Sequence, residues 1–197
     1  EGSKTKSSPF GTVEGAFIPG QLVIGASGKF FARTLDTNIK HTTQTMMDAA
    51  NFEGTSVVEI LQNCVIYNDK THAAITDKQH KHERQLFLEH GKPMIFGENR
   101  EKGIILKGMH LDVVEIGKNG ITEEDILVHD AKEENPFIQL MLVNMNLPQF
   151  PVAFGVIRAV ESSVYDQKVE AQIKSVQAES NIKCMDDLLN SGATWKV

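Results

Sequence analysis

The sequence predicts an α/β fold built on a parallel sheet, with an extended carboxy-terminal α+β appendage. Three observations carry this. Ser56-Val-Val-Glu-Ile-Leu61 is a β-branched, apolar run of strand length between Gly54 and the turn-prone pair Asn68-Asp69, which fits a strand buried on both faces. Residues 20–61 alternate helix, strand, helix, strand, the grammar of a parallel α/β unit. From residue 70 onward that alternation stops. Ligands gather beyond the carboxyl ends of strands in such sheets, and Cys64 lies just past the end of the apolar run.

Composition narrows the class. The chain has 197 residues, enough for a sizeable core and one domain with an appendage. A net charge of −6 and a pI near 5.6 argue against non-specific binding to nucleic acid or a membrane surface, because such binding usually needs a basic patch. No apolar run approaches the roughly 20 residues of a membrane helix, and the polar start has no apolar signal core. Cys64 and Cys184 are far apart and form no Cys-x-x-Cys pair. That usage points to a reducing, cytoplasmic setting rather than a disulfide scaffold. The chain opens on Glu1-Gly-Ser-Lys-Thr-Lys-Ser-Ser-Pro-Phe-Gly11 with no initiator methionine; the expectation is that an amino-terminal part precedes it.

In chain order, residues 1–19 read as loop, with Gly, Ser and Pro dominant. Lys4 and Lys6 alternate with small hydroxyl residues there, a composition able to grip a phosphate or carboxylate; a solvated loop is the commoner reading of so short a cluster. Gly20 to Ser27 reads as a short helix and Lys29 to Arg33 as a strand. Neither a Gly-x-Gly-x-x-Gly nor a P-loop pattern is present, so no phosphate loop is predicted. Asp36 or Thr37 is the expected cap of the next helix, whose packed face would carry Ile39, Thr43, Met46, Met47 and Ala50. Its methionines read as core filling, and Gly54 ends it. Lys70 to Lys107 is charged, histidine-rich and broken by Gly91, Pro93, Gly97 and Gly103, and Asp125 to His129 is an apolar patch in an acidic setting. Asn135-Pro136 starts a helix through Leu140, Met141 and Val143. Pro151 to Val160 reads as a strand, Asp166 to Ala178 as a helix and Met185 to Leu189 as a last short one near Gly192.

Two constellations invite a site and neither is strong. His72, Asp77, His80, His82 and His90 are ligand types for zinc or non-haem iron. Their spacing fits no metal motif, and solvated loop histidines among Lys78, Lys81, Glu83 and Arg84 are the favoured reading. Cys64 would need an activating base to act as a nucleophile, and the chain has no Gly-x-Ser-x-Gly elbow. A lone cysteine is more often a small core residue.

Taken together, four ordered segments carry a resemblance. They are Gly2-Ser-Lys-Thr-Lys-Ser-Ser-Pro-Phe-Gly11, Gly25-Ala-Ser-Gly-Lys-Phe-Phe-Ala-Arg33, Asp36-Thr-Asn-Ile-Lys-His41 and Glu59-Ile-Leu-Gln-Asn-Cys-Val-Ile-Tyr-Asn68. The chain resembles the carboxy-terminal part of the β subunit of 2-oxoacid:ferredoxin oxidoreductases, which carries their thiamine diphosphate-binding domain. Glu89-His-Gly-Lys-Pro-Met-Ile-Phe-Gly97 and Leu189-Asn-Ser-Gly-Ala-Thr-Trp195 resemble the 2-oxoglutarate type. The resemblance implies that residues 1–69 are the last portion of that domain and 70–197 a carboxy-terminal extension at a subunit interface.

It also implies oxidative decarboxylation of a 2-oxoacid, here 2-oxoglutarate, to an acyl-coenzyme A with electrons passed to ferredoxin. The cofactors would be thiamine diphosphate with Mg2+ and a [4Fe-4S] cluster, and the partners an α subunit, ferredoxin, the 2-oxoacid and coenzyme A. Cys64, in Ile60-Leu-Gln-Asn-Cys64, would be the fourth thiolate of the cluster, Lys4 and Lys6 contacts near the cofactor, and Cys184 structural. The family's other three cluster cysteines and its Gly-Asp-Gly thiamine motif are absent from this sequence, so the main cofactor ligands are expected upstream. The rival reading is a non-catalytic α/β module that binds a partner subunit.

Overall fold

A computed structural model describes residues 4, 6–66, 68–193 and 195. The chain divides into two units, Glu1–Glu161 and Ser162–Val197.

The first unit is built around β1 (Phe30–Leu35), six residues that are all buried. Its pleat sends alternate side chains to opposite faces. Thr34 meets the helix α2 (Ile39–Asn51) on one side, and Phe31 meets α1 (Pro19–Gly25) on the other. Gly20 allows the second approach: a Cβ there would stand 2.7 Å from Val143 and 2.8 Å from Phe31. β2 (Ser56–Leu61) runs parallel to β1 in unbroken register from Phe30↔Ser56 to Leu35↔Leu61. The expected helix–strand–helix–strand order over residues 20–61 is therefore the observed one.

The chain then makes two single-turn helices, α3 (Ala73–Thr76) and α4 (Lys81–Arg84), and returns to the sheet as β3 (Gln85–Phe87). β4 (Ile95–Phe96), β5 (Lys102–Lys107) and β6 (His110–Glu115) form a separate antiparallel sheet. Helix α5 (Phe137–Asn144) follows, with Asn135 Oδ1 accepting the Phe137 N–H at 3.1 Å. Strand β7 (Val152–Ala159) then enters between β1 and β3, giving the order β2-β1-β7-β3. β7 is antiparallel to β1 and parallel to β3, so the sheet is mixed rather than wholly parallel. The sheet also crosses the expected line at residue 69/70, because β3 and β7 lie beyond that line in sequence and within the sheet in space.

Leu86, Ala153, Ile157, Phe31 and Leu142 are fully buried and share one core with Ile104 of the second sheet. Each large apolar side chain so buried contributes roughly 1.5–3 kcal/mol. Arg158 is buried as well: its guanidinium donates to the Gly28 carbonyl at 3.0 Å, the Glu133 carbonyl at 3.1 Å and the Gln139 amide oxygen, tying Glu133 and α5 to β7.

Two expectations are corrected. β2 is an edge strand, half-buried with Ile60 44% exposed, and the strand buried on both faces is β1, which has a neighbour on each side. The apolar face of α2 turns outward, with Ile39 77%, Met46 47% and Met47 54% exposed, so its methionines do not fill the core. The inward face is polar and satisfied. Thr34 Oγ1 bonds His41 Nδ1 at 2.8 Å and Thr42 Oγ1 at 2.9 Å, Thr42 Oγ1 donates to the Leu35 carbonyl at 2.7 Å, and Thr45 is buried. The cap of α2 is Asn38, whose side chain accepts the His41 N–H at 3.2 Å, rather than Asp36 or Thr37.

The second unit contains α6 (Tyr165–Glu179) and α7 (Met185–Leu189), neither with a buried residue. Cys184 caps α7, and the Asp187 carboxylate accepts the N–H groups of Lys183 and Cys184 at 2.8 and 3.0 Å. Those bonds hold the Asp187 carboxyl below its ordinary range.

Candidate functional site: the Cys64 turn

β1 and β2 point the same way, so their carboxyl ends bring Leu35–Asp36 and Leu61–Asn63 together. The Asp36 N–H donates to the Leu61 carbonyl at 3.2 Å, and the Asp36 carboxylate accepts the Asn63 N–H at 3.0 Å. Asn63 also grips the far side of the loop: its Oδ1 accepts the Lys70 N–H at 2.7 Å, and its Nδ2 donates to Asp69 Oδ1 at 3.0 Å. Between these anchors lies a tight turn, closed by the Asn68 N–H donating to the Cys64 carbonyl at 2.9 Å. Asn68 Nδ2 in turn donates to Thr71 Oγ1 at 3.0 Å. Cys64 is half-buried at the mouth of this turn, while Val65 and Ile66 stand 73% and 82% exposed. Tyr67 lies outside the described residues.

A part-buried ion pair joins the strands beneath. Arg33 and Glu59 are register partners, and Arg33 Nε donates to Glu59 Oε2 at 2.6 Å with side chains only 7% and 18% exposed. Arg33 Nη2 also donates to the Val143 carbonyl at 3.3 Å, linking β1 to α5.

A half-buried cysteine on a hydrogen-bonded turn is of the residue type that ligates a metal or cluster. A [4Fe-4S] centre takes four thiolates, and this chain has two cysteines, Cys64 and Cys184. The cysteines present therefore do not make up the ligand set of such a centre.

The histidine set does not assemble. His80 pairs with Asp77 at 2.7 Å, His90 with Asp130 at 3.3 Å, and no group of three or more potential ligands occurs among the described residues. Lys4 and Lys6 are exposed in the opening loop, and their assignment stays with the resemblance. Sequence reading missed the clamp residues Asp36 and Asn63; the one signal was that both fall inside the segments quoted for the resemblance. It also missed His129, which is buried with Nε2 2.8 Å from the Val156 carbonyl. Its burial lowers its pKa.

No protein-family profile matches the chain. The 2-oxoglutarate oxidoreductase subunit KorB of Mycobacterium tuberculosis is 33% identical over 201 residues, covering 100% of this chain and 52% of that protein. Along its full length the chain is similar to that subunit. The β subunit of 2-oxoacid:ferredoxin oxidoreductase 1 from Aeropyrum pernix is 35% identical over 68 residues, 34% of this chain and 21% of that one. The 2-oxoglutarate synthase subunit KorB of Archaeoglobus fulgidus is 36% identical over 64 residues, 32% of this chain and 24% of that one. A solved 2-oxoglutarate:ferredoxin oxidoreductase from Magnetococcus marinus, with 2-oxoglutarate, coenzyme A and succinyl-CoA bound, shares the fold: TM-score 0.61 at 11% identity, over 98% of this chain and 50% of that one. The chain thus spans about half the length of the Mycobacterium subunit, to which it is similar over all of its own residues. Among its described residues no helix is long and apolar enough to cross a membrane.

Proposed function

We propose that this chain is part of the β subunit of a thiamine diphosphate-dependent 2-oxoacid:ferredoxin oxidoreductase that converts 2-oxoglutarate to succinyl-CoA and passes electrons to ferredoxin. The observation that supports it is the Cys64 turn, held at the carboxyl ends of a parallel strand pair in a chain similar along its full length to a 2-oxoglutarate oxidoreductase subunit. Cys64 donates one thiolate to a [4Fe-4S] cluster, and the remaining ligands come from polypeptide outside this chain. Asp36 and Asn63 fix where that thiolate stands. Lys4 and Lys6 attract the cofactor phosphates. When bound, thiamine diphosphate supplies carbanion stabilisation at the keto carbon, and its main ligands also lie outside this chain. An α subunit and ferredoxin are the partners, and a reducing cytoplasm suits a cluster held by thiolates.

The test is acceptor reduction by the assembled enzyme supplied with coenzyme A and one 2-oxoacid at a time. The proposal expects reduction with 2-oxoglutarate that requires added thiamine diphosphate and coenzyme A. Reduction that is independent of both, or none with any 2-oxoacid, contradicts it.

A further inference from the structure

The segment after the Cys64 turn is basic in an acidic chain. Residues 70–84 carry four cations, Lys70, Lys78, Lys81 and Arg84, against two anions, Asp77 and Glu83, while the whole chain has a net charge of −6. This stretch folds into α3 and α4 at the carboxyl ends of β1 and β2. Ile75 of α3 is buried and packs with Leu35 and Leu61, the last residues of those strands. Arg84 Nη1 donates to the Ala74 carbonyl at 2.6 Å, which joins α4 to α3. The Lys70 N–H donates to Asn63 Oδ1 at 2.7 Å, so the segment is tied to the residue that precedes Cys64. Both anions are engaged within the fold: Asp77 pairs with His80 at 2.7 Å and accepts the Gln79 N–H at 3.1 Å, and Glu83 pairs with Lys102. Lys70 and Lys78 are exposed and Lys81 is half-buried, and among the described residues none of the three pairs with a carboxylate.

We propose that Lys70, Lys78 and Lys81 form the surface on which this chain receives a small acidic electron-carrier protein. The proposal rests on the β-subunit reading, which calls for such an acceptor, and adds to it the face where the acceptor sits. Charge complementarity argues for this occupant. An acidic protein is repelled by a chain of net charge −6 and drawn to a face whose cations are not neutralised within the fold. Redox encounters bury little surface, below about 1,200 Å² in total, so an interface of this kind needs no large apolar patch. The packing of Ile75 and the Lys70–Asn63 bond hold the segment at the sheet end that carries Cys64. Lysine ammonium groups on flexible four-carbon stems can meet carboxylates of differing geometry, which suits a transient partner.

The experiment compares the full assembly purified with this chain and the same assembly carrying Lys70→Glu, Lys78→Glu and Lys81→Glu together. An acidic ferredoxin is titrated into each by calorimetry at low and at physiological salt, with no 2-oxoacid present. The proposal expects the variant to bind it at least about tenfold more weakly at low salt, with a flatter salt dependence. Lys107→Glu, Lys118→Glu and Lys132→Glu together change the net charge equally at three other exposed lysines, and should leave binding unchanged. Reduction of an uncharged small quinone with 2-oxoglutarate should be the same in all three proteins, because a small acceptor needs no landing surface. Equal ferredoxin binding with and without the first three substitutions, binding in none of the proteins, or an equal loss from either set of three overturns the proposal. Failure of the functional reading is separate: an assembly that oxidises no 2-oxoacid yet binds the ferredoxin through these lysines refutes the β-subunit role and leaves the docking surface standing.

Discussion

The backbone N–H of Asn63, the residue before Cys64, donates to the carboxylate of Asp36 at 3.0 Å. This bond joins the ends of two parallel strands and sets the entry angle of the cysteine turn. Removing the carboxylate frees the turn without touching the thiol. Asp36→Ala should lower stability by about 1.5–3 kcal/mol, the range for a hydrogen bond to a charged group. Urea denaturation measures that. Alkylation followed by mass spectrometry should show Cys64 reacting faster in the variant and Cys184 unchanged. Equal Cys64 rates would mean the clamp does not hold the turn.

The Arg33–Glu59 pair is a stability element rather than a surface contact. Glu59→Ala leaves a guanidinium 7% exposed beside a single carbonyl partner. The cost should be about 3 kcal/mol, the low end for breaking a buried pair. Replacing both residues with apolar ones should cost less than that single change. A double-mutant cycle in urea decides it, and additivity would contradict the coupling.

Stability should fall as the pH drops below about 6.5. Burial lowers the pKa of both His41 and His129 in the folded chain. Protonation therefore favours the unfolded state, so the contribution is fully present above the unfolded histidine pKa and is lost as pH falls toward the folded values. Asp77, Asp125 and Asp187, whose carboxylates accept hydrogen bonds, also have lowered folded pKa values, and their contribution disappears only at more acidic pH, below the ordinary aspartate value of about 3.9. His129→Asn should flatten the slope of stability against pH between 6.5 and 5. An unchanged slope would assign the effect elsewhere.

Gly155 sits at φ +109, and a Cβ there would stand 2.7 Å from the Leu88 carbonyl oxygen. Gly155→Ala should therefore cost at least about 1–3 kcal/mol for the backbone conformation alone. For a chain of this size each 1 kcal/mol lowers the melting temperature by roughly 2–4 °C. A thermal scan that shows no drop would contradict the close β3–β7 approach.

The β1–α2–β2 unit was legible because its apolar runs have strand and helix lengths and Gly54 separates them. Which strand lay inside was not, since an apolar run such as Ser56–Leu61 specifies a buried strand and says nothing of its neighbours. The face of α2 was misread for a different reason. Periodicity points to the apolar stripe, but Thr34, His41 and Thr42 form a hydrogen-bonded seam that fixes the opposite face inward. The second sheet hid in a charged stretch broken by glycines; its β5–β6 hairpin turns through Gly108-Met109, with Gly108 at φ +63. Cys64 stood out by residue type alone. Its clamp did not, because the bond from Asn63 reaches a residue 27 positions away.

The central claim is that Cys64 supplies a cluster thiolate, and iron content tests it most directly. Purified assembly carrying Cys64→Ser should lose the iron and sulfide of one [4Fe-4S] centre and its visible absorption, with Cys184→Ser and the unmodified protein retaining both. Iron, sulfide and absorption unchanged in the Cys64→Ser assembly would contradict the account.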